Sequence, residues 1–149
     1  MSGQVLVDYK DKEIIESGRW YINNIGYVVM DKYKDNIRKR ELLHRVIMDA
    51  KQNEMIDHIN GNKLDNRRSN LRFCNKSTNA INSKVHKTNT SGVRGVYWDK
   101  QFGKWHGRIG INGKTKHIGL FNNLNDARKK ISVAYRQLFG DYVPERRIL

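Results

Sequence analysis

The chain has 149 residues, and its 29 Lys and Arg side chains against 15 Asp and Glu give a formal net charge of +14. This length fits one ordinary domain or two small ones, and 38% hydrophobic residues are enough for small cores. The single cysteine, Cys74, excludes a disulfide framework and a cysteine-rich zinc site. Apolar runs are too short for a transmembrane helix or a signal-peptide core, so we expect a soluble, cytoplasmic protein.

The positive charge is concentrated towards the C-terminus. Residues 1–83 hold 15 basic and 11 acidic side chains, a net of +4, whereas residues 84–149 hold 14 and 4, a net of +10. Because like charges repel one another, such an excess favours a polyanionic partner, of which nucleic acid is the simplest. A solvated basic surface is the alternative that charge alone leaves open.

The N-terminal half alternates short strands and helices. Two β-rich runs within residues 18–30 flank Asn23–Gly26, which predicts a hairpin. The apolar residues between Glu41 and Ala50 recur at helical spacing, so we expect a helix there. Further along, the pattern predicts a short strand that runs into a Gly/Asn turn over residues 55–62, a second strand over 71–74, and a helix capped by Asn75 that continues to about Ser83.

The C-terminal half shows a different pattern. Ser83–Ser91 is polar and lacks periodicity, which indicates a linker. Beyond it we expect three short strands, over residues 95–99, 105–112 and 116–121, joined by turns at Gly103 and Asn112-Gly113. Leu124–Phe139 has the spacing of an amphipathic helix, with Asn123 or Asn125 as its cap and Gly140 as its stop.

The second predicted strand of this half has two distinct faces. Trp105, Ile109 and Ile111 lie on one side, and His106, Arg108 and Asn112 lie on the other. The apolar face is expected to pack on the amphipathic helix, and Trp98 and Trp105 are expected to belong to the core. The opposite face then carries basic and hydrogen-bonding groups that suit the major groove of DNA.

Polar residues that suit phosphodiester hydrolysis cluster between Leu43 and Asn79. That reaction needs a cation on the phosphate and a base that activates water. The carboxylate of Asp57 and the carboxamide of Asn79 are hard oxygen donors of the kind that Mg²⁺ or Mn²⁺ prefers. His58, next to Asp57, is a side chain that can take a proton from water near neutral pH.

Residues 41–82 resemble the HNH family, in the group of phage and intron-encoded homing endonucleases that are built on a ββα-metal (His-Me) finger. The resemblance implies that Asp57 and Asn79 bind one divalent ion, Mg²⁺ or Mn²⁺, per active site and that His58 is the general base. It also implies that Asn70 pins the hairpin loop through backbone hydrogen bonds. Asn79 stands where the wider family often has histidine, a departure that is common in the homing group.

Further residues of this stretch have less specific expectations. His44, in Leu-His-Arg, matches the family pattern and is a catalytic candidate, with a role in the core or at the phosphate left open. Asp65, Asn66 and Arg67 are expected to stabilise the loop and contact phosphate, with Arg67 counted as a DNA-binding residue. Cys74 is expected to be a buried apolar residue.

Residues 90–143 resemble an Apetala-type (ethylene-response-factor, ERF) DNA-binding domain, through Ser91-Gly-Val-Arg-Gly-Val-Tyr-Trp98, Gly103-Lys-Trp105, Ile118-Gly-Leu-Phe121 and Asp126-Ala-Arg128. The resemblance implies that the sheet binds the major groove through some of Arg94, Tyr97, Lys100, Lys104, His106, Arg108 and His117. Tyr97 and Asp99 stand where plant members usually carry arginines that contact DNA, so no sequence preference can be transferred.

Together these observations predict an α+β protein: a ββα-metal nuclease domain followed by a small three-stranded antiparallel sheet with one helix. The expected divisions are a hairpin segment packed on the nuclease core, that core, a linker, the Apetala-type domain and a tail, over residues 1–40, 41–83, 84–90, 91–143 and 144–149.

We expect a metal-dependent, site-directed DNA endonuclease that leaves 5′-phosphate and 3′-hydroxyl ends. It would act on double-stranded DNA as a monomer without an obligate protein partner, in the host cytoplasm if a phage encodes it. A sequence-specific DNA-binding regulator with an inactive nuclease half is the first alternative. An RNA-binding protein is the second, because basic charge does not distinguish the two nucleic acids.

Overall fold

The computed structural model describes residues 3–83 and 85–143, so the predicted tail at 144–149 lies outside the described residues. Tertiary contacts divide the chain into two compact units, one ending at Asn75 and the other beginning at Lys76. Each unit has its own hydrophobic core. Among the described residues, no helix combines the length and the apolar character that crossing a membrane requires. The mixed content of helices and antiparallel strands confirms the predicted α+β class.

The first unit contains two separate antiparallel sheets. It begins with a short 3-10 turn, Tyr9–Asp11, and helix α1, Lys12–Glu16. A three-stranded sheet and a short helix follow: β1 (Tyr21–Ile22), β2 (Val28–Lys34), β3 (Ile37–Leu42) and α2 (Leu43–Ile47). A two-stranded sheet completes the unit: β4 (Met55–His58) and β5 (Leu71–Cys74), with a 3-10 turn at Arg68–Asn70 before β5.

The predicted hairpin at Asn23–Gly26 is confirmed, because β1 and β2 pair on either side of it. The Asn23 side chain closes this turn by accepting hydrogen bonds from the backbone amides of Ile25 and Tyr27, at 3.1 and 2.9 Å. A second hairpin, which the sequence pattern did not indicate, joins β2 to β3. Its turn residues Asp35 and Asn36 have φ of 52° and 59°. Asp and Asn tolerate this left-handed conformation, and it matches the twist of paired strands.

The predicted helix between Glu41 and Ala50 is wrong at both ends. Glu41 and Leu42 belong to β3, where they pair with residues of β2, and α2 covers only Leu43–Ile47. The chain then leaves the helix, and Asp49 adopts a φ of 48°. The helical spacing therefore predicts the structure correctly only for Leu43–Ile47, about one and a half turns. Pairing with β2 places Glu41 and Leu42 in a strand instead.

The core of the first unit joins elements that are distant in the sequence. Its buried members are Val28, Leu43, Ile47 and Leu71, and the N-terminal residues Val5, Val7, Ile14 and Ile15 pack around them. The backbone of Leu6 donates to the carbonyl of Leu64 at 2.8 Å and accepts from the amide of Asn66 at 2.8 Å. The N-terminal segment thus holds the loop that connects β4 to β5.

The second unit is a three-stranded antiparallel sheet covered by one long helix. Its elements are α3 (Lys76–Asn82), β6 (Val96–Asp99), β7 (Lys104–Ile111), β8 (Lys114–Phe121), α4 (Leu124–Phe139) and a final 3-10 turn at Gly140–Tyr142. The predicted strands and helices are confirmed here within one or two residues. The Asn123 side chain caps α4 by accepting from the amide of Asn125 at 2.7 Å, and Gly140 follows the helix with a φ of 52°.

One face of this sheet packs on α4, as the alternation predicted. Ile109 and Ile131 are almost fully buried between them, and Trp105 and Ile111 pack at the edge of the same core. Trp98 departs from the prediction of a core position: it is 43% exposed and meets Trp105 edge-on, with ring centroids 5.1 Å apart. Trp98 lies on an outer strand, where α4 leaves part of the ring uncovered.

The C-terminal end of the predicted linker is ordered within the second unit. Ser91 is buried, and its hydroxyl accepts from the Val93 amide at 3.0 Å and donates to the Val96 carbonyl at 2.7 Å. Asn89 donates to the Val93 carbonyl at 2.9 Å. These bonds fix the approach of the chain to β6.

Candidate active site and nucleic-acid interface

The β4–β5 hairpin carries the Asp57–His58 pair at the end of β4. Asp57 lies opposite Arg72 and His58 lies opposite Leu71 in the strand register. Both side chains are buried, with 8% and 4% of their surface exposed. Nη2 of Arg72 donates to Oδ2 of Asp57 at 3.2 Å. The carboxylate is thus partly neutralised by a cation from the neighbouring strand.

Asn70 fastens the loop between the two strands. Its Oδ1 accepts from the Asn60 amide at 2.8 Å, and its Nδ2 donates to Oδ1 of Asn60 at 3.0 Å and to the Asp65 carbonyl at 2.7 Å. Its carbonyl accepts from the Ile59 amide at 2.8 Å. These are bonds of the kind expected of Asn70 from the sequence.

Ion pairs support the same loop from both sides. Arg67 donates to both carboxylate oxygens of Asp65 at 2.8 Å, and its guanidinium holds the pKa of the buried Asp65 below its usual value. Arg68 donates through two nitrogens to Asp11, at 2.7 to 3.2 Å, and its backbone amide donates to Asp8 at 2.8 Å. These arginines fix the loop to itself and to the N-terminal segment.

The imidazole of His58 lies among other rings. Its centroid is 5.0 Å from that of His44 and 6.1 Å from that of Tyr27. Its Nε2 is 3.2 Å from Oδ1 of Asn66, a residue with no exposed surface. Burial lowers the pKa of His58, and the hydrogen bond with Asn66 opposes that shift. The ring is therefore neutral near pH 7, the form that can accept a proton.

His44 is part of this cluster and is also buried. Burial, followed by the neighbouring His58, lowers the pKa of His44 to about 3. Among the described residues its Nδ1 has no hydrogen-bond partner. A neutral His44 places no positive charge beside His58, so it does not oppose proton transfer to that ring.

The second predicted metal ligand belongs to the other unit. Asn79 lies on α3, whose Ile81 is part of the core of the second unit and whose Ser77 accepts from the Asn112 amide at 3.1 Å. The first unit therefore brings together Asp57, His58, His44 and Asn70, but not Asn79. In the described part of the chain, no three His, Cys, Asp or Glu side chains are grouped as metal ligands. One carboxylate and one carboxamide remain a donor set whose chemistry suits Mg²⁺ or Mn²⁺.

The open face of the second-unit sheet carries a row of linked side chains. The Tyr97 hydroxyl hydrogen-bonds Nδ1 of His106, and Nε2 of His106 is 2.7 Å from Nδ1 of His117. The Arg108 guanidinium stacks over the Tyr97 ring, 4.5 Å from its centroid. Four predicted DNA-binding residues thus form one polar and cationic patch.

The remaining predicted DNA-binding residues lie elsewhere. Lys100 and Lys104 are exposed at the β6–β7 turn. Arg94 is half-buried, and its guanidinium donates to the backbone carbonyl and the hydroxyl of Ser83, after α3. Arg67 is in the first unit, paired with Asp65.

Several contacts of the site carried no signal in the sequence. Tyr27 and Asn66 both contact His58, which no spacing indicates, although Asn66 was expected to stabilise the loop and contact phosphate. Arg72 could have been found, because a correct register for the predicted hairpin places it opposite Asp57. The Asp11–Arg68 contact joins residues 57 positions apart, which no local pattern indicates.

The HNH endonuclease profile matches residues 41–81, which include Asp57, His58, Asn70 and Asn79.

Two curated relatives are similar over longer stretches. Protein 3.8 of Escherichia phage T7 is 42% identical over 87 residues, which cover 58% of this chain and 71% of that protein. An uncharacterized HNH endonuclease of Acanthamoeba polyphaga mimivirus is 27% identical over 138 residues, which cover 91% of this chain and 70% of that protein. Among solved structures, the HNH homing endonuclease I-HmuI is 28% identical with a TM-score of 0.38, over 46% of this chain and 44% of its own.

Proposed function

This chain belongs to the HNH endonuclease family and is a DNA-cleaving enzyme, and we propose that it is a metal-dependent, site-directed endonuclease of the homing type. It would hydrolyse phosphodiester bonds of double-stranded DNA to 5′-phosphate and 3′-hydroxyl ends, acting as a monomer. The observation that carries this proposal is a buried imidazole directly beside a buried carboxylate at the end of β4, next to the loop held by Asn70.

Each residue of the site has one proposed task. Asp57 and Asn79 would hold a single Mg²⁺ or Mn²⁺, since both offer hard oxygen donors. When bound, the ion would neutralise charge on the scissile phosphate and the leaving oxygen. His58 would take the proton of the attacking water, which its neutral form allows. Asn70 would keep the loop in place, and the His44 ring would pack against that of His58.

The second unit would anchor the enzyme on DNA through the open face of its sheet. The cluster of Tyr97, His106, Arg108 and His117 has cationic and hydrogen-bonding groups for phosphates and base edges. Residues 84–149 contain 14 basic side chains and 4 acidic ones, a formal excess of ten positive charges. Uncompensated cations release counterions from DNA, which makes binding dependent on salt.

A plasmid-nicking assay with Mg²⁺ tests the cutting mechanism. His58→Ala should lower the rate by about 10²-fold or more, since removal of a general base typically costs that much. His86→Ala, which changes an exposed histidine hydrogen-bonded to Thr88, is the matched control and should cut like wild type. Equal cutting by wild type and His58→Ala would refute the proposed base. Absence of cutting by either would favour a DNA-binding regulator.

Metal dependence is tested with a second pair of variants. Asp57→Asn should need far more Mg²⁺ or Mn²⁺ for half-maximal cutting, because a neutral oxygen binds these ions less well. Asp35→Asn, in an exposed turn where Asn tolerates the backbone conformation, should have the wild-type requirement. Cutting that persists after removal of divalent ions by a chelator would contradict the metal-dependent mechanism.

Binding to the sheet is tested by competition at a stated salt concentration. Labelled duplex DNA should be displaced by duplex DNA better than by duplex RNA of the same sequence. Arg108→Ala should weaken DNA binding more than Arg136→Ala, which removes an exposed cation from α4. Equal effects of the two substitutions would contradict the sheet face as the anchor, and a preference for RNA would favour an RNA-binding protein.

A further inference from the structure

We propose that the His106–His117 pair on the open face of the second-unit sheet is a proton-binding site, and that DNA binding to this face takes up one proton there and no more. The inference rests on the proposed role of that face as the DNA anchor, and it adds regulation of that anchor by pH. It involves neither the metal ion nor the residues of the nuclease site.

The contact between the two imidazoles has room for a single proton. Nε2 of His106 lies 2.7 Å from Nδ1 of His117, and the ring centroids are 4.7 Å apart. A hydrogen bond between two nitrogens needs one N–H and one lone pair, so only one of the two facing atoms carries a proton. The four ring nitrogens therefore hold at most three protons, one more than two neutral rings carry. While the contact persists, the pair has a net charge of zero or +1.

The other nitrogen of His106 is placed to serve both charge states of the pair. Its Nδ1 is hydrogen-bonded to the Tyr97 hydroxyl and lies 3.7 Å from Oδ2 of Asp99. A hydroxyl can donate to a bare nitrogen or accept from an N–H, so Tyr97 stays bonded in either state. When Nδ1 carries a proton, the Asp99 carboxylate stabilises the positive ring. The extra proton therefore fits around His106 without rearrangement of its neighbours.

The charged groups around the pair act in opposite directions. Strand alternation and register place the following titratable and charged groups on the open face: Tyr97 and Asp99 of β6, Lys104, His106 and Arg108 of β7, and His117 of β8. The two lysines of β8, Lys114 and Lys116, pair with isoleucines of the opposite face, on which α4 packs. The Asp99 carboxylate attracts a positive pair, whereas the Arg108 guanidinium and the Lys104 ammonium repel it. With two cations against one anion, this face opposes the extra proton until more negative charge arrives.

DNA changes this balance because it brings phosphates to the face. A phosphate attracts the charged pair and offsets the repulsion from Arg108. His117 is exposed, and its hydrogen bond to His106 uses Nδ1, so an N–H at its Nε2 can donate to a phosphate. Because a bound anion favours the protonated pair, protonation equally favours the bound anion. DNA affinity should therefore rise as the pH falls through the range in which histidine takes up a proton, about pH 8 to 5.

The first test examines the pair in the protein without DNA. ¹H–¹³C spectra of the histidine rings are followed from about pH 8 to 5, and the signals are assigned by their loss in His106→Ala and His117→Ala. The two rings should respond together, in one step. In His117→Ala the titration of His106 should move to lower pH, because the charge-assisted bond that shares the proton is lost. Two rings that titrate independently, each unaffected by removal of the other, would overturn the inference.

The second test measures the affinity for duplex DNA against pH, at constant salt and without divalent ions so that the DNA is not cut. Wild type should bind more tightly as the pH falls, by up to about tenfold per pH unit, the limit for uptake of one proton. His117→Ala should lose about half or more of that dependence on a logarithmic scale. His86→Ala is the matched control, because His86 is an exposed histidine bonded to Thr88 outside the sheet, and it should keep the wild-type dependence.

The number of protons and the role of the face are separated by further variants. The difference in slope between wild type and the double variant His106→Ala with His117→Ala counts the protons taken up by the pair, and a difference near two would overturn the inference. If Arg108→Ala weakens DNA binding but His117→Ala keeps the wild-type pH dependence, the inference is overturned and the anchor stands. If neither Arg108→Ala nor the double variant changes DNA binding at any pH, the proposed anchor itself fails.

Discussion

Replacement of Asn70 by alanine should destabilise the first unit by about 3 kcal/mol. The side chain makes three hydrogen bonds inside the loop, at 2.7 to 3.0 Å, and only 7% of the residue is exposed. Each such bond contributes about 1 kcal/mol net, and more where a buried partner is left unsatisfied. The Asp65 carbonyl and the Asn60 amide would both lose their partner in Asn70→Ala.

Urea unfolding, monitored by hydrogen exchange, measures this loss of stability. Peptides covering residues 55–75 report on the first unit even if the two units unfold separately. Asn53→Ala, an exposed position of the same unit, is the control and should shift stability by less than about 0.5 kcal/mol. A loss below about 1 kcal/mol in Asn70→Ala would refute the reasoning, because the three bonds could not then be what holds the loop.

Three further predictions concern stability. Burial lowers the pKa of His44 from 6.5 to about 3 in the folded protein, so on acidification this histidine is protonated first in the unfolded chain. The contribution of neutral His44 to the free energy of unfolding is therefore complete above pH 6.5 and falls by about 1.4 kcal/mol per pH unit below that pH. His44→Gln should flatten that slope in urea unfolding measured between pH 4 and 7. Gly95→Ala should destabilise the second unit more than Gly92→Ala, because both have positive φ but only Gly95 faces a backbone carbonyl where a Cβ would lie. Asp11→Asn should cost about 1–3 kcal/mol in thermal unfolding, because it removes the charge of a buried carboxylate to which the partly exposed Arg68 donates.

Most of the second unit could be predicted because local patterns determine it. Alternation along β7 separates Ile109 from Arg108, glycine and asparagine mark the turns, and α4 has a cap at Asn123 and a stop at Gly140. Each of these signals lies within a few residues of the structure that it specifies. The strands and the helix therefore agree with the sequence to within one or two residues.

The first unit shows where such patterns fail. Strand β3, Ile37–Leu42, is exposed over most of its length and carries charges on both faces, so it has no alternation to read. Strand β3 forms because it pairs with β2, and a local sequence pattern does not report that pairing. The same pairing takes Glu41 and Leu42 out of the predicted helix.

The candidate site also combines residues that the sequence indicates with contacts that it does not indicate. Asp57, His58 and Asn70 stand at motif positions, and the structure shows a hydrogen-bond partner for each of them. Asn66 and Tyr27 reach His58 only because the loop and the β1–β2 hairpin fold onto the end of β4. No spacing in the sequence encodes these contacts with His58, so they could be found only from coordinates.

The distribution of ion pairs separates the charges that can bind DNA from those that hold the fold. In the first unit, Arg67, Arg68 and Arg72 each donate to a carboxylate that is itself buried. A phosphate that recruited one of them would leave that carboxylate buried without its partner, at a cost of several kcal/mol. Residues 84–149, in contrast, carry a formal excess of ten positive charges. Salt-dependent attraction to DNA should therefore come mainly from the second unit, while these three arginines hold the fold of the first unit.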